Sequence, residues 1–302
     1  MKYDILLIGG NGFVGRVLAA KLQAAGYSVL LPTSHLPAAR DLRILPKVHL
    51  EDADVHEFDQ LQNLCARIKP NGVVINLVGV LHDRPAQPYG KIFKAAHVEL
   101  PKNIMTAMKM HGLKRYLHMS ALGADTNGPS MYQRSKGDGE HEVKVSGLEW
   151  TIFRPSVIFG SQDQFINLFS TLTKWLPVLP LANYEAQFQP VSVEDVADAF
   201  VKSIQMPQTI QQSYDLVGPA VYSMKEIVTF AARKAQTSCA IIPVPAFVGY
   251  LQALAFEYLP VPTLMSRDNI ASMKAPNTLA SDARDALPEV FGMSRRSLEG
   301  MG

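Results

Sequence analysis

Residues 4–15 read Asp4-Ile5-Leu6-Leu7-Ile8-Gly9-Gly10-Asn11-Gly12-Phe13-Val14-Gly15. Four consecutive apolar residues run into a cluster of glycines, after which Val14, Val17, Leu18 and Leu22 recur at helical spacing. This is the pattern of a buried strand, a tight turn and the start of a helix. The glycines fit G-x-x-G-x-x-G through Gly9, Gly12 and Gly15, and G-x-G-x-x-G through Gly10, Gly12 and Gly15. Under either spacing, one glycine permits the turn, one lets backbone N–H groups approach a pyrophosphate, and one allows close helix–strand packing. The helix N-terminus then faces the diphosphate charge. The segment is expected to bind a dinucleotide through Gly9, Gly10, Asn11, Gly12, Phe13, Val14 and Gly15; the alternative is a merely structural turn.

Apolar, strand-like runs recur beyond this segment at 28–31, 47–50, 73–78, 115–119 and 150–153. Helical patterns separate most of them, such as Leu61-Leu64-Ile68, Ile92-Ala96-Leu100-Ile104 and the polar stretch 132–145. Strands alternating with 3.6-period helices predict an α/β fold, a Rossmann-type doubly wound parallel sheet with right-handed crossovers. Of 20 glycines, 14 precede residue 151, whereas 12 of 20 prolines follow residue 150. The change in punctuation suggests an NAD(P)-binding half over 1–155, with segments near 188–217 returning to it. A smaller, interleaved substrate-facing lobe is expected over 156–302.

The second strand bears on which nucleotide binds. An acid about 20 residues after the loop would hold the ribose 2′-hydroxyl of NAD. Here the chain reads Leu30-Leu31-Pro32-Thr33-Ser34-His35, followed by Arg40 and Arg43. The absence of an acid, with hydroxyls, an imidazole and arginines nearby, favours a 2′-phosphate and therefore NADP. Solvated loop charges at Arg40 and Arg43 are the alternative, which leaves NAD open.

A catalytic set is expected on the fifth strand and the following helix. The strand 115–119 ends at Ser120, and Tyr132 and Lys136 stand four apart, one above the other on a helix. A phenol of pKa about 10 is a poor acid and a worse base at neutral pH, and a neighbouring ammonium lowers that value. Tyr132 is thus read as the acid/base group, Lys136 as the group that tunes it and holds ribose hydroxyls, and Ser120 as a hydrogen-bond partner for the reacting oxygen. The alternative is an exposed helix pair. Asp138, Glu140 and Glu142 are read as solvated helix charges, and the histidines lack metal-ligand spacing, so no metal is expected.

These motifs occur together with Val74-Ile75-Asn76-Leu77-Val78-Gly79-Val80-Leu81, His97-Val98-Glu99 and residues 115–124. They continue in Phe153-Arg154-Pro155-Ser156-Val157-Ile158-Phe159-Gly160 and Gln189-Pro190-Val191-Ser192-Val193-Glu194-Asp195-Val196-Ala197. Over roughly residues 4–235, and more loosely to about 280, the chain resembles the extended or atypical short-chain dehydrogenases/reductases. Within them it is similar to the group around the NAD(P)H-binding Rossmann accessory subunit of respiratory complex I and its bacterial relatives. The resemblance implies that Asp54 and Val55 lie beside the adenine and that Leu77, Val78 and Gly79 pass under the cofactor. It also implies that Pro155 and Ser156 lie near the nicotinamide amide. Relatives often carry an arginine after the second strand, where this chain has Ser34-His35. The group includes reductases, epimerases and dehydratases as well as a subunit not thought to turn over substrate, so a hydride-transferring oxidoreductase and a non-catalytic nucleotide-binding accessory protein are both implied.

Charge and the C-terminal half narrow the partners. Twenty-nine basic and 27 acidic residues give a net charge of +2, with no clustered basic face for nucleic acid. Cys65, in an apolar helical pattern, is read as a core residue in a reducing, cytoplasmic setting. Neither a targeting segment nor a run of about 18 apolar residues is evident. Between Ala235 and Ser266 the only charged residue is Glu257. Phe247, Tyr250, Leu251, Leu254 and Tyr258 form a helical stripe there, with Val248, Ala255, Phe256 and Leu259 around it. A buried lobe is one reading; the other is a pocket or surface for an apolar or quinone-like molecule, the inner face of a membrane, or a respiratory complex.

Overall fold

The computed structural model describes residues 2–258 and 266–301. In chain order the first half comprises β1 (Tyr3–Ile8), α1 (Phe13–Ala24), β2 (Val29–Thr33), β3 (Val48–Asp52), α2 (Phe58–Ala66) and β4 (Ile68–Asn76). It continues with α3 (Lys91–Phe93), α4 (Leu100–Met110), β5 (Arg115–Met119), α5 (Met131–Lys144) and β6 (Glu149–Pro155). After these come β7 (Ile158–Phe159), α6 (Phe165–Trp175), β8 (Val178–Leu181), β9 (Gln187–Phe188), β10 (Val191–Ser192), α7 (Val193–Ser203) and β11 (Gln212–Leu216). The chain then forms β12 (Tyr222–Ser223), α8 (Met224–Lys234), β13 (Ala240–Pro243), α9 (Ala246–Tyr258), α10 (Arg267–Ser272) and α11 (Ala286–Glu289).

Seven strands form one parallel sheet in the order β3-β2-β1-β4-β5-β6-β11. The order reverses between β1 and β4, which opens a crevice above their C-terminal ends. The near-continuous apolar strands follow from burial on both faces. Along β1, Ile5 and Leu7 enter a core shared with α1 and α7, while Leu6 and Ile8 enter one shared with α2 and α4. All four are fully buried, each contributing about 1.5–3 kcal/mol relative to exposure. A third core joins Phe159, Ile166, Phe169 and Leu179 to Met224, Ile227 and Val228 in the C-terminal lobe.

Ile68 corrects the sequence reading, which placed it in a helical pattern. It pairs with Tyr3 at the start of β4, and the register shifts before Ile5 pairs with Val73. The polar run Lys69-Pro70-Asn71-Gly72 hid this strand start from a periodicity argument. Glu140 is a second correction, because it is buried rather than solvated. Its carboxylate is paired with Arg154 and Lys144. Burial opposes its charge, but the Arg154 guanidinium holds its pKa below the ordinary carboxylate value.

The apolar stretch after Ala235 divides between interior and surface. Gly249 lies against Ala182, and Ala253 is buried. Phe247, Tyr250 and Leu251 lie on the outer side of α9, with Phe247 67 % exposed. The side chains of Ala255, Phe256, Tyr258 and Leu259 lie outside the described residues. Among the described residues, no helix is long and apolar enough to cross a membrane.

Buried Arg115 ties the strand edge of the sheet together. It donates to the carbonyl oxygens of Glu149 and Ser203 at 2.8 and 2.9 Å, and to the hydroxyls of Thr151 and Thr209 at 2.9 and 2.8 Å. Replacing Arg115 removes four hydrogen bonds at once, although the Ser203 carbonyl and both threonine hydroxyls keep other partners. Arg115→Met is therefore expected to lower the unfolding free energy by about 3 kcal/mol in urea titration.

Candidate functional site

The turn from β1 into α1 is shaped by glycine. Gly9 has φ +80°, in the left-handed region, and a Cβ there would approach the backbone of Leu77 and Val78 at 3.1–3.2 Å. A Cβ on Gly15 would lie 2.5 Å from Gly10 Cα and from the Gly9 carbonyl oxygen. Hence α1 can start close against the loop only without a side chain at residue 15. Gly12 caps α1 without a side-chain acceptor, and the first turn contains no acid. The amides and the positive end of the helix dipole are left for an anion.

The crevice floor is formed by Leu77-Val78-Gly79 immediately after β4. Asn76 Oδ1 accepts the Val78 N–H at 3.1 Å, and Asn76 Nδ2 lies 3.2 Å from the Tyr116 hydroxyl. That hydroxyl lies 3.2 Å from His118 Nδ1, completing a buried polar cluster under the floor. Burial pushes the His118 pKa down to about 3, so its imidazole is neutral.

The third wall comes from β5 and α5. Ser120 follows β5, and its N–H donates to the Phe153 carbonyl at 2.7 Å. Its hydroxyl is buried and has no hydrogen-bond partner of normal geometry, although it lies near enough to Glu140 to favour that ionised carboxylate. On α5, Lys136 is 3 % exposed and donates to the Met119 carbonyl at 3.2 Å. A Cβ on Gly79 would sit 3.3 Å from Lys136 Nζ, which places the ammonium at the crevice floor. Burial pushes the Lys136 pKa down to about 8, against the pull of Glu140.

Tyr132 stands one turn before Lys136. Its ring meets Phe93 and His97 edge to face, with centroids 6.0 and 5.6 Å away. The sequence-based expectation was a phenol drawn toward neutrality by the ammonium. Instead, burial pushes the Tyr132 pKa up to about 12. The desolvation penalty on the phenolate dominates in the absence of a stronger ammonium contact.

His97 belongs to this site although sequence spacing gave it no role. It lies in a π-helical turn, Lys94–Glu99, between α3 and α4, and such turns often re-aim a side chain at a functional site. The Val80 N–H donates to Nε2 at 3.1 Å, which assigns the proton to Nδ1. Nδ1–H then donates to Ser135 Oγ at 2.8 Å, and Ser135 donates to the Tyr132 carbonyl at 2.9 Å. Burial, with Lys136 and His118 nearby, depresses its pKa to about 2 and keeps the ring neutral.

The other expected residues spread outward from this centre. Thr33, at the end of β2, accepts from Asn11 Nδ2 at 3.0 Å, linking the glycine turn to the second strand. Ser34 and His35 are exposed just beyond it, as are Arg40 and Arg43 on the 3-10 helix Leu36–Ile44. The ion pair at this helix is made by Arg16 with Asp41. Asp54 uses one oxygen to accept the His56 N–H at 2.9 Å, so it shapes its own turn beside Val55. Pro155 ends β6. Ser156 is buried and donates to Asn277 Oδ1 at 2.6 Å, which occupies it in a tie to the C-terminal lobe. A groove of about 680 Å³ beside α1, lined by Phe13, Arg16, Phe159, Gly160 and Arg296, includes none of Ser120, Tyr132 or Lys136. Those three residues lie instead toward the crevice above β1, β4 and β5.

The geometry fits a dinucleotide. A side-chain-free turn faces an uncapped helix, while a buried hydroxyl without a hydrogen bond of normal geometry and a buried ammonium stand further along the same crevice. A lysine with a depressed folded-state pKa is destabilising below about pH 8, and this penalty vanishes above its unfolded value. Lys136→Met should therefore raise unfolding stability by about 2 kcal/mol at pH 7, less at pH 10. Urea titrations at the two pH values check this.

Comparison with known proteins agrees with this geometry. The family model described as the NAD dependent epimerase/dehydratase family matches residues 5–217. The chain is 28 % identical over 285 residues to the Rattus norvegicus NADH dehydrogenase [ubiquinone] 1 alpha subcomplex subunit 9, mitochondrial, covering 91 % of this chain and 73 % of that protein. It is 23 % identical to the NAD(P)H azoreductase of Xenophilus azovorans, covering 97 % and 94 % of the two chains. Its fold matches the Thermus thermophilus UDP-glucose 4-epimerase solved in complex with NAD, with a TM-score of 0.68, 18 % identity, and coverage of 89 % and 99 %. With its Rossmann strand order and glycine turn, this NAD(P)-binding chain belongs to the NAD dependent epimerase/dehydratase family.

Proposed function

We propose that the chain is an NAD(P)-dependent oxidoreductase acting between a nicotinamide and a carbonyl or secondary alcohol of a small, apolar, quinone-like substrate. The observation that carries this reading is the buried Ser120 hydroxyl, near Glu140 but without a hydrogen bond of normal geometry, in the same crevice as the Lys136 ammonium. An unsatisfied buried hydroxyl costs about 1–3 kcal/mol, a cost relieved when a ligand oxygen takes its hydrogen bond. The glycine turn and the start of α1 would hold the diphosphate, Leu77-Val78-Gly79 would support the cofactor, and Asp54-Val55 would flank the adenine. When bound, the nicotinamide supplies or accepts the hydride.

The chain's own residues manage the proton. Ser120 donates to the substrate oxygen and orients it. Tyr132, protonated at neutral pH, gives its phenolic proton to that oxygen as the carbonyl is reduced. Lys136 supplies positive charge for the phenolate that remains and contacts ribose hydroxyls. Burial disfavours the phenolate in both directions of the reaction, which makes the positive charge of Lys136 the group that offsets it. The absence of a carboxylate at Ser34-His35, together with exposed Arg40 and Arg43, supports NADP as the preferred nucleotide. Pro155 and Ser156 would border the nicotinamide amide.

A second reading is a nucleotide-binding accessory protein without turnover, at the inner face of a respiratory membrane. It is supported by similarity to the rat subunit and by exposed Phe247, Tyr250 and Leu251 on α9. NADPH oxidation against a panel of quinones and aliphatic ketones separates the two. Turnover that falls at least 100-fold in Tyr132→Phe, with NADPH affinity within threefold, supports the enzyme. Tight NADPH binding without turnover across the panel supports the accessory role.

Two further outcomes are expected. Reduction should slow as pH rises above about 8, where Lys136 loses its proton, and a flat kcat profile to pH 10 would remove its electrostatic role. Isothermal titration should give tighter binding of NADPH than NADH; the reverse order would overturn the NADP assignment.

A further inference from the structure

We propose that Asp268 is a positioning residue for Tyr132: its carboxylate, carried by the C-terminal lobe, fixes the first turn of α5 and thereby the pose of the phenol. The proposal rests on the reading of Tyr132 as the proton donor.

The first amides of a helix lack intrahelical acceptors. At the start of α5, the Gln133 N–H donates to Ser130 Oγ at 3.1 Å, and Gln133 Oε1 accepts from the Ser130 N–H and hydroxyl at 3.3 and 2.9 Å. This reciprocal local cap is enough to start a helix. The two remaining amides, those of Met131 and Tyr132, are taken by a residue 136 or more positions away. The Met131 N–H donates to Asp268 Oδ1 at 2.6 Å, and the Tyr132 N–H donates to Asp268 Oδ2 at 3.0 Å. Both carboxylate oxygens are thus directed at the peptide groups that carry and precede Tyr132, and the charge suits the positive end of the helix dipole.

Asp268 is itself firmly presented. It lies in the first turn of α10, whose start is closed by a reciprocal cap between Ser266 and Asn269. Ile270, two residues later, is buried, and Ser272 Oγ donates to the Asp268 carbonyl at 3.1 Å. At the receiving end, the Tyr132 carbonyl accepts from Ser135, and its ring is held edge-on by Phe93 and His97. Asp268 completes this set at the amide. The amide, carbonyl and ring of Tyr132 are therefore each held by a different element, and one hold depends on how the C-terminal lobe sits on α5.

The test uses the full chain saturated with NADPH and labelled with tyrosine carrying ¹³C at Cζ, the Tyr132 resonance being assigned from Tyr132→Phe. Amide exchange is followed on the same samples. In Asp268→Ala, exchange at Met131 and Tyr132 is expected to rise at least tenfold, the Tyr132 resonance to shift or broaden, and NADPH affinity to stay within twofold. Asp268→Asn, which keeps one acceptor oxygen, should fall between wild type and Asp268→Ala. Ser130→Ala removes the local cap and should leave the Tyr132 resonance in place. Wherever turnover is measured, Asp268→Ala should lower kcat at least tenfold with KM unchanged. A Tyr132 resonance unmoved in Asp268→Ala and Asp268→Asn, or moved equally by Ser130→Ala, would overturn the proposal and leave Asp268 as a cap alone. The resonance decides this even if the chain turns over no substrate, so failure of the oxidoreductase reading is seen separately.

Discussion

The close approach of the glycine turn to the strand-end segment after β4 is the constraint on which the site depends. Gly9 adopts φ +80° against the backbone of Leu77 and Val78, and Gly15 leaves no space for a Cβ against Gly10. Because both conditions hold, α1 can begin directly over the sheet with its amides free of side-chain caps, and the crevice stays open at the topological reversal. Near-neutral overall charge is compatible with an anionic ligand, since backbone N–H groups and a helix end provide the recognition without surplus lysine or arginine. Four fully buried residues of β1 anchor this turn from beneath through cores on both faces of the sheet.

Around this frame, the polar residues fall into two kinds. Arg115, Asn76 and the Glu140–Arg154 pair are satisfied by protein partners and hold strands and helices in register. Ser120 and Lys136 are also buried but less well satisfied, one without a hydrogen bond of normal geometry and one with a depressed pKa. Interiors tolerate such groups at a cost in stability, and that cost concentrates where a ligand completes the bonding. Tyr132 joins the second group through its raised pKa. Its ring and backbone are firmly placed, and its proton is retained at neutral pH.

Much of this was legible in the sequence because the features concerned are local. The βα turn, the strands of β1, β2 and β5, and the Tyr132–Lys136 spacing each announce themselves within a few residues. The start of β4 did not, since Lys69-Pro70-Asn71-Gly72 breaks both periodicities, and Ile68 continued the preceding helical pattern by chance. Glu140 read as a surface charge because its partner, Arg154, lies on a strand 14 residues later. Asn277, which occupies Ser156, and Asp268, which holds the Tyr132 amide, act across more than 120 residues and carry no spacing by which to find them. His97 lay within a motif of the family resemblance, yet its role follows from a π turn that no residue pattern specifies. The direction of the Tyr132 shift depends on burial, which sequence distance to Lys136 does not reveal.

The most direct measurement is a crystal structure of the chain soaked or grown with NADPH. The expected result places the diphosphate on the Gly9–Gly15 turn, with nicotinamide C4 facing an open pocket. The Tyr132 hydroxyl and Ser120 Oγ should then both lie within hydrogen-bond reach of a substrate oxygen placed there. A nicotinamide face covered by the chain's own side chains, or a nucleotide seated away from Lys136 and Ser120, would contradict the account of this crevice as a catalytic site.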